Sequence, residues 1–225
     1  MKDYMQEPIL MSWSGGKDSC MALREIQNSG SYRVAALLTT VSLDYDRICM
    51  HGVRRTLLDR QVESLGLPVH AIHLSNDPSN DEYEAKMRET LIAYRERGVK
   101  AIAFGDLFLE DIRQYRELRL AEVEMTGVFP LWQRDTAALA KEFIESGFKA
   151  VVTCVDSKKL DGSFAGRLID FDFLSALPSG IDPCGENGEF HSFVFAGPIF
   201  KEEVNLKIGE TVLRDGFYFC DLLPD

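Results

Sequence analysis

The sequence predicts an α/β fold, with a doubly wound parallel sheet of about five strands followed by a smaller C-terminal α+β region. Three observations predict it. Through residue 156, short apolar runs alternate with stretches of helical periodicity, the pattern of stacked β-α units around a parallel sheet. The run Val34-Ala35-Ala36-Leu37-Leu38-Thr39-Thr40-Val41 is almost continuously apolar, as a strand buried on both faces requires. Beyond Asp156 the chain turns to loops rich in Gly and Pro, which divides it into a main domain, 1–156, and a smaller region, 157–225.

The elements follow in order. Residues 9–13 form the first strand, and a helix over 19–28 places Ala22, Leu23 and Ile26 on one face before Gly30 stops it. Strand two covers 34–41. Leu57, Leu58, Val62 and Leu65 mark a helix closed by Gly66, and 69–74 supplies strand three after Pro68. Ser79 with Glu82 makes a capping box for a helix running to about Arg97, ended by Gly98. Residues 101–104 are strand four, a polar helix spans 111–125, and a short apolar run, Val128-Phe129, reaches Pro130. Asp135 caps a helix ending near Gly147, and 150–155 is read as the fifth strand of the sheet. A short helix over 170–177 and a hairpin turning at Asp215-Gly216 complete the C-terminal region.

A chain of 225 residues that is 45% hydrophobic can bury a sizeable core. Its net charge of −11 disfavours a broad nucleic-acid footprint. Cys20, Cys49, Cys154, Cys184 and Cys220 form no C-x-x-C pair, and their odd count argues against a disulfide framework, so a reducing cytoplasm is the expected compartment. The six mostly apolar residues before the first glycines are too few for a signal-peptide core or a membrane span, and no membrane association is expected.

In open parallel sheets ligands collect beyond the carboxyl ends of the strands. The residues there are Ser14 to Ser19, Thr39-Thr40, Gly105-Asp106 and Asp156, all polar or glycine. The string Ser14-Gly15-Gly16-Lys17-Asp18-Ser19 combines glycines that let N–H groups approach an anion, a helix N-terminus and a lysine, the parts of a phosphate cradle. The spacing is neither a Walker A loop nor a G-x-G-x-x-G fingerprint. Lys17 is the candidate charge on the bound phosphates, with Ser14, Gly15, Gly16 and Ser19 as phosphate donors. Asp18 either holds Mg²⁺ or caps the helix, and both readings stay open.

The string S-G-G-K-D-S behind a first strand resembles the PP-loop of the N-type ATP pyrophosphatases. That resemblance implies an adenine nucleotide alpha hydrolase-like sheet, ATP held by its β- and γ-phosphates, and release of AMP and pyrophosphate. Further anchors narrow it. Gly105-Asp106, Arg113-Gln114-Tyr115-Arg116-Glu117, Pro130-Leu131-Trp132, Gly147-Phe148-Lys149-Ala150 and the segment Cys184-Gly185-Glu186-Asn187-Gly188-Glu189-Phe190-His191-Ser192-Phe193-Val194 are similar, in order, to the diphthine–ammonia ligase family. "FAGRLIDFDFL" and "DPCGENGEFHSFVFAGPIF" look like a bacterial branch of it. The implied enzyme is an ATP-dependent ligase of diphthamide synthesis type. It adenylates a small-molecule or protein-borne carboxylate, then forms an amide with ammonia or another amine. On this reading 1–156 is the PP-loop ATP-binding domain and 157–225 binds substrate.

The remaining roles divide by position. Thr39, Thr40 and Gly105 lie where strand ends border a nucleotide, and Asp106 is a second candidate for Mg²⁺. His51 sits where the family has a histidine ahead of its second helix, a candidate nucleotide contact or a solvated loop residue. Arg113 and Arg116 either neutralise the α-phosphate or an acceptor carboxylate, or pair with Glu110, Asp111 and Glu117. Glycines at 185 and 188 allow a folded-back loop presenting Glu186, Asn187, Gly188, Glu189 and His191 to one ligand. There Glu189 is expected to orient or deprotonate the amine, Asn187 to donate to the acyl oxygen, and Glu186 to act beside them. Two rival readings are a sulfur transferase, disfavoured by charge and cysteine spacing, and an ATP or AMP sensor without turnover. A homodimer is the expectation from symmetry alone.

Overall fold

The computed structural model describes residues 6–43, 46–48, 52–75 and 78–225. The first half contains β1 (Glu7–Ser12), α1 (Lys17–Ser29), β2 (Tyr32–Ser42), β3 (Arg47–Ile48), α2 (Arg55–Leu65), β4 (Val69–Leu74), α3 (Asn80–Glu96), β5 (Ala101–Ala103), α4 (Glu110–Ala121) and β6 (Thr126–Val128). Five of these strands run parallel in the order β4-β2-β1-β5-β6, and β3 adds an antiparallel pair to the end of β2. The order reverses at β1, so the crevice beyond its carboxyl end is the switch point where such sheets bind ligands. The sheet is doubly wound. Alternating residues send Leu37 and Val41 into a core shared with α1 and α2, while Ala36 and Leu38 face a separate core shared with α3 and α4. Gly30 and Gly66 close α1 and α2 in the left-handed conformation, at φ 65° and 67°, where a Cβ would be strained.

After α5 (Thr136–Glu145) the chain builds a second sheet from β7 (Lys149–Asp156), β8 (Phe190–Ala196), β9 (Leu206–Arg214) and β10 (Phe217–Pro224), with α6 (Phe171–Ala176) between β7 and β8. It is antiparallel in the order β8-β7-β10-β9. This corrects the strand reading of 150–155. That segment is not the fifth strand of the parallel sheet but a central strand of the second one, and three-residue β6 takes the expected place. Both kinds of strand are covered on both faces and read as the same continuous apolar run. The C-terminal hairpin forms as its turn chemistry predicts, with Asp215 and Gly216 both at positive φ, 51° and 85°.

One core joins the two sheets: Ile9, Met11 and Trp13 of the β1 segment share a cluster with Val151 and Val152 of β7 and Phe193 and Val194 of β8. The second sheet is therefore packed against the α1 face, which brings the segment entering β8 to the start of α1. Among the described residues no helix is long and apolar enough to cross a membrane.

Candidate functional site

The loop between β1 and α1 is held by its own polar groups and by bonds from α2 and β8. Gly15 adopts φ +75°, and a Cβ there would stand 2.8 Å from Gln61 Oε1. Ser14 Oγ accepts from Gly16 N at 3.2 Å and donates to Ser19 Oγ at 3.3 Å, while Ser19 Oγ donates to Gly16 O at 2.9 Å. Gly16 is the N-cap of α1 and offers no side chain to the first-turn N–H groups. Those donors and the positive end of the helix dipole therefore face the loop, which is the chemistry of an anion site. Lys17 N donates to Ser192 Oγ at 3.1 Å, tying the helix start to β8.

Lys17 is 1% exposed and its Nζ is ion-paired with Asp18. Burial alone lowers an ammonium pKa, but the Asp18 carboxylate more than offsets it, so Lys17 stays charged. It lines a cavity of about 130 Å³ with Ser14, Gly16 and Asp18 on one wall and Cys184, Glu186, Gly188 and His191 on the other. Among the described residues, then, the 14–19 loop and the 182–192 segment face each other across a single space.

The second wall is braced from inside. Gly185 takes φ +71°, and a Cβ there would meet Phe190 O at 2.8 Å, so the turn closes tightly on β8. Asp182 Oδ2 accepts from Glu186 N at 2.8 Å. Glu189 is buried, its Oε1 accepting from Asp182 N at 3.2 Å and from Asn187 Nδ2 at 3.0 Å. Asn187 and Glu189 thus bond to each other and to the loop, whereas Glu186, Gly188 and His191 line the cavity. Glu186 Oε1 accepts from Leu107 N at 2.8 Å. Burial pushes the Glu186 carboxyl up to about 7, with the Asp18 and Asp106 charges adding to the effect. Burial, and after it the Lys17 charge, brings His191 down to about 4, so this imidazole is neutral at pH 7.

The other strand ends arrange differently from one another. Thr39 lies on the face of Leu37 and Val41, the side of α1, and is 3% exposed with no hydrogen-bond partner for Oγ1. Thr40 takes the opposite face and is half-buried. Gly105 packs against the start of α1, where a Cβ would come 2.9 Å from the Asp18 carbonyl carbon. Asp106 is ion-paired with Arg116, Nη2 donating to Oδ1 at 3.1 Å and Nε lying 2.8 Å from Oδ2 without a hydrogen bond, and that guanidinium lies 4.4 Å from the Phe104 ring centre. Arg113 pairs with Glu117 at 2.8 Å and stacks on Phe129 and Trp132, an arrangement of the α4 surface outside the cavity. His51 lies outside the described residues.

Cys20, Cys154, Cys184 and Cys220 are all buried free thiols. Burial pushes Cys154 and Cys184 up to about 12, and Cys184 Sγ donates to Thr136 O at 3.3 Å, so the cysteine on the cavity wall is a thiol with little nucleophilic character. Sequence reasoning passed over Gln61 and Ser192. Gln61 carried a visible signal, being an amide in the middle of the apolar face Leu57, Leu58, Val62 and Leu65, and it is fully buried. Ser192, inside the apolar run of β8, carried only its place in the family-like segment.

Two family descriptions match nearly the whole chain: the diphthamide synthase N-terminal domain over residues 7–125 and the diphthamide synthase C-terminal domain over 135–222. The chain is similar to the diphthine–ammonia ligase of Danio rerio, 28% identical over 228 residues, covering 92% of this chain and 89% of that protein. It is similar to that of Homo sapiens at 24% identity over 233 residues, covering 92% and 85%. The Schizosaccharomyces pombe enzyme of the same name is 25% identical over 228 residues, which span 93% of this chain and 38% of that longer protein.

Proposed function

The chain belongs to the diphthamide synthase family, and from that premise we propose that it is an ATP-dependent ligase that adenylates a carboxylate, releases pyrophosphate and forms an amide with ammonia. The observation that carries the reading is the shared cavity, in which a buried, charged Lys17 and the open start of α1 stand opposite a carboxylate raised to about 7. Phosphate groups in the loop meet the positive end of the α1 dipole and Lys17, whose fixed charge stabilises the departing pyrophosphate, while Ser14 and Ser19 shape the loop through their mutual bond. The orphaned Thr39 hydroxyl supports a nucleoside site beside the loop, since a buried polar group without a partner is costly unless a ligand supplies one. Glu186, ionised in about half the molecules at neutral pH, takes the proton from the attacking amine. Glu189 Oε1 and Asn187 brace the Glu186 turn, and the buried Glu189 Oε2, which has no hydrogen-bond partner, is left to meet the amine.

Asp18, which lines the cavity, fits Mg²⁺ better than Asp106, which does not line it and is ion-paired with Arg116. Among the described residues no cluster of three metal-binding side chains forms, which suits Mg²⁺ held by one carboxylate together with phosphate oxygens. Bound there, the cation neutralises phosphate charge. The high cysteine pKa values disfavour persulfide chemistry. The acceptor is a carboxylate on a small molecule or a protein, and cytoplasm is the compartment the free thiols favour.

The test is a product assay. The purified protein is incubated with Mg-ATP, ammonium and candidate carboxylates, with Lys17→Met as control. AMP and pyrophosphate in equal amounts, falling on the order of 100-fold or more in the variant, are expected. ADP as product refutes the reading, and tight nucleotide binding without turnover on any carboxylate favours a sensor.

A further inference from the structure

Gln61 belongs to α2, and none of its atoms lines the cavity, yet its side chain is completely buried and every one of its polar atoms is used. Its Oε1 accepts from Trp13 Nε1 at 3.0 Å, immediately before the phosphate loop. Its Nε2 donates to Gly15 O at 3.0 Å, inside that loop, and to Val194 O at 2.6 Å, on β8. Val194 N in turn donates to the same Gly15 carbonyl at 2.9 Å. One amide therefore joins the parallel sheet, the loop and the second sheet. The space it fills is the space a Gly15 side chain would need, so the glycine and the glutamine specify one another.

No smaller or apolar side chain reproduces this set. A carboxylate supplies the acceptor for Trp13 but sets its other oxygen against two carbonyls, and a leucine leaves Trp13 Nε1 without its acceptor and takes a donor from both Gly15 O and Val194 O. Without the clamp, Gly15 keeps its bond from Val194 but loses the lateral restraint that sets the positive φ of the loop. The N–H groups and Lys17 that follow it then lose their fixed aim.

We propose that Gln61 is a positioning residue for the triphosphate end of the nucleotide, holding the loop in its phosphate-binding curve and coupling it to the strand that carries His191 and Ser192. The inference rests on the reading that the loop at 14–19 grips the outer phosphates of ATP. Its effect is selective: ligands that carry the outer phosphates depend on Gln61, and a nucleoside monophosphate does not.

Calorimetric titration of the full chain with the non-hydrolysable α,β-methylene analogue of ATP and with AMP tests it, for the wild type, Gln61→Leu and Gln61→Glu, each below its measured unfolding temperature. The expected result is a loss of about tenfold or more in affinity for the ATP analogue in both variants, with AMP affinity within about twofold of wild type. Equal losses for the two ligands, or unchanged affinity for the analogue, overturn the proposal. If Gln61→Leu does not fold, Gln61→Glu with its matching shape decides the question, and if neither folds, a purely architectural role is established and the proposal is overturned. Failure of the wild type to bind the analogue overturns the ATP reading instead.

Discussion

Replacing Glu186 with Gln removes a titrating group while keeping the oxygen that accepts from Leu107 N, so the variant isolates the cost of a buried charge. Glu186 is shifted from 4.5 to about 7. A carboxyl raised in the folded state contributes stability that is fully present below its unfolded pKa and lost as pH rises through the folded one. The window is therefore pH 4.5 to about 7. At about 1.4 kcal/mol per unit the shift corresponds to about 3.5 kcal/mol, and because the side chain is partly exposed the realised amount is on the order of 1–3 kcal/mol. In the wild type this loss is masked by His191, lowered from 6.5 to about 4, whose contribution has the opposite sign: present above 6.5 and lost as pH falls to 4. Urea unfolding of the nucleotide-free wild type and Glu186→Gln from pH 4.5 to 8 separates them, since His191 cancels in the difference. The variant's relative stability is expected to climb by on the order of 1–3 kcal/mol up to pH 7 and then level off. A difference that does not change with pH refutes the assignment of a displaced carboxyl, and with it the role of Glu186 as a base near neutrality.

Thr39→Val keeps the shape of a buried side chain and removes its unpartnered hydroxyl. The free protein should gain on the order of 1 kcal/mol in thermal unfolding while the KM for ATP rises about threefold to tenfold, and an unchanged KM refutes contact with the nucleotide. Gly105→Ala drives a methyl to 2.9 Å from the backbone of Asp18, so urea unfolding should show a loss of about 1–3 kcal/mol, and an unchanged midpoint refutes the close packing. Cys184→Ala should retain AMP and pyrophosphate formation within about threefold, because a thiol near pKa 12 supplies little thiolate; loss of turnover without loss of fold would restore the sulfur-transfer reading.

The legible parts of this protein are the local ones. Strand, glycine turn and helix start follow one another at 9–19, so the loop could be read as a phosphate cradle before its walls were known. The Asp215-Gly216 turn announced its hairpin in the same way. What the sequence concealed is the company these segments keep. The run at 150–155 has the same apolar composition whether its neighbours are parallel or antiparallel, and β6 is three residues with a glycine at its centre, too short to stand out against the helix before it. The separation of Thr39 from Thr40 also needed the sheet, since alternation shows that the two face opposite ways but not which way leads to the site.

The same distinction explains why the cavity is an assembled object. Its phosphate wall and its carboxylate wall are linked by Lys17 N to Ser192, a bond between residues 175 apart, and the loop is linked to α2 by Gln61 and Gly15, 46 apart. On the proposed reading neither wall suffices alone: the loop without the second sheet offers an amine no base, and Glu186 without its burial and the Asp18 and Asp106 charges loses the causes of its raised pKa. The displaced carboxyl is thus created by folding, from burial and from Asp18 and Asp106 nearby. A protein of this construction should lose catalysis before it loses nucleotide binding when the packing between the two sheets is loosened. Val194, fully buried and bonded to both Gly15 and Gln61, is the point at which that loosening is felt by both walls at once.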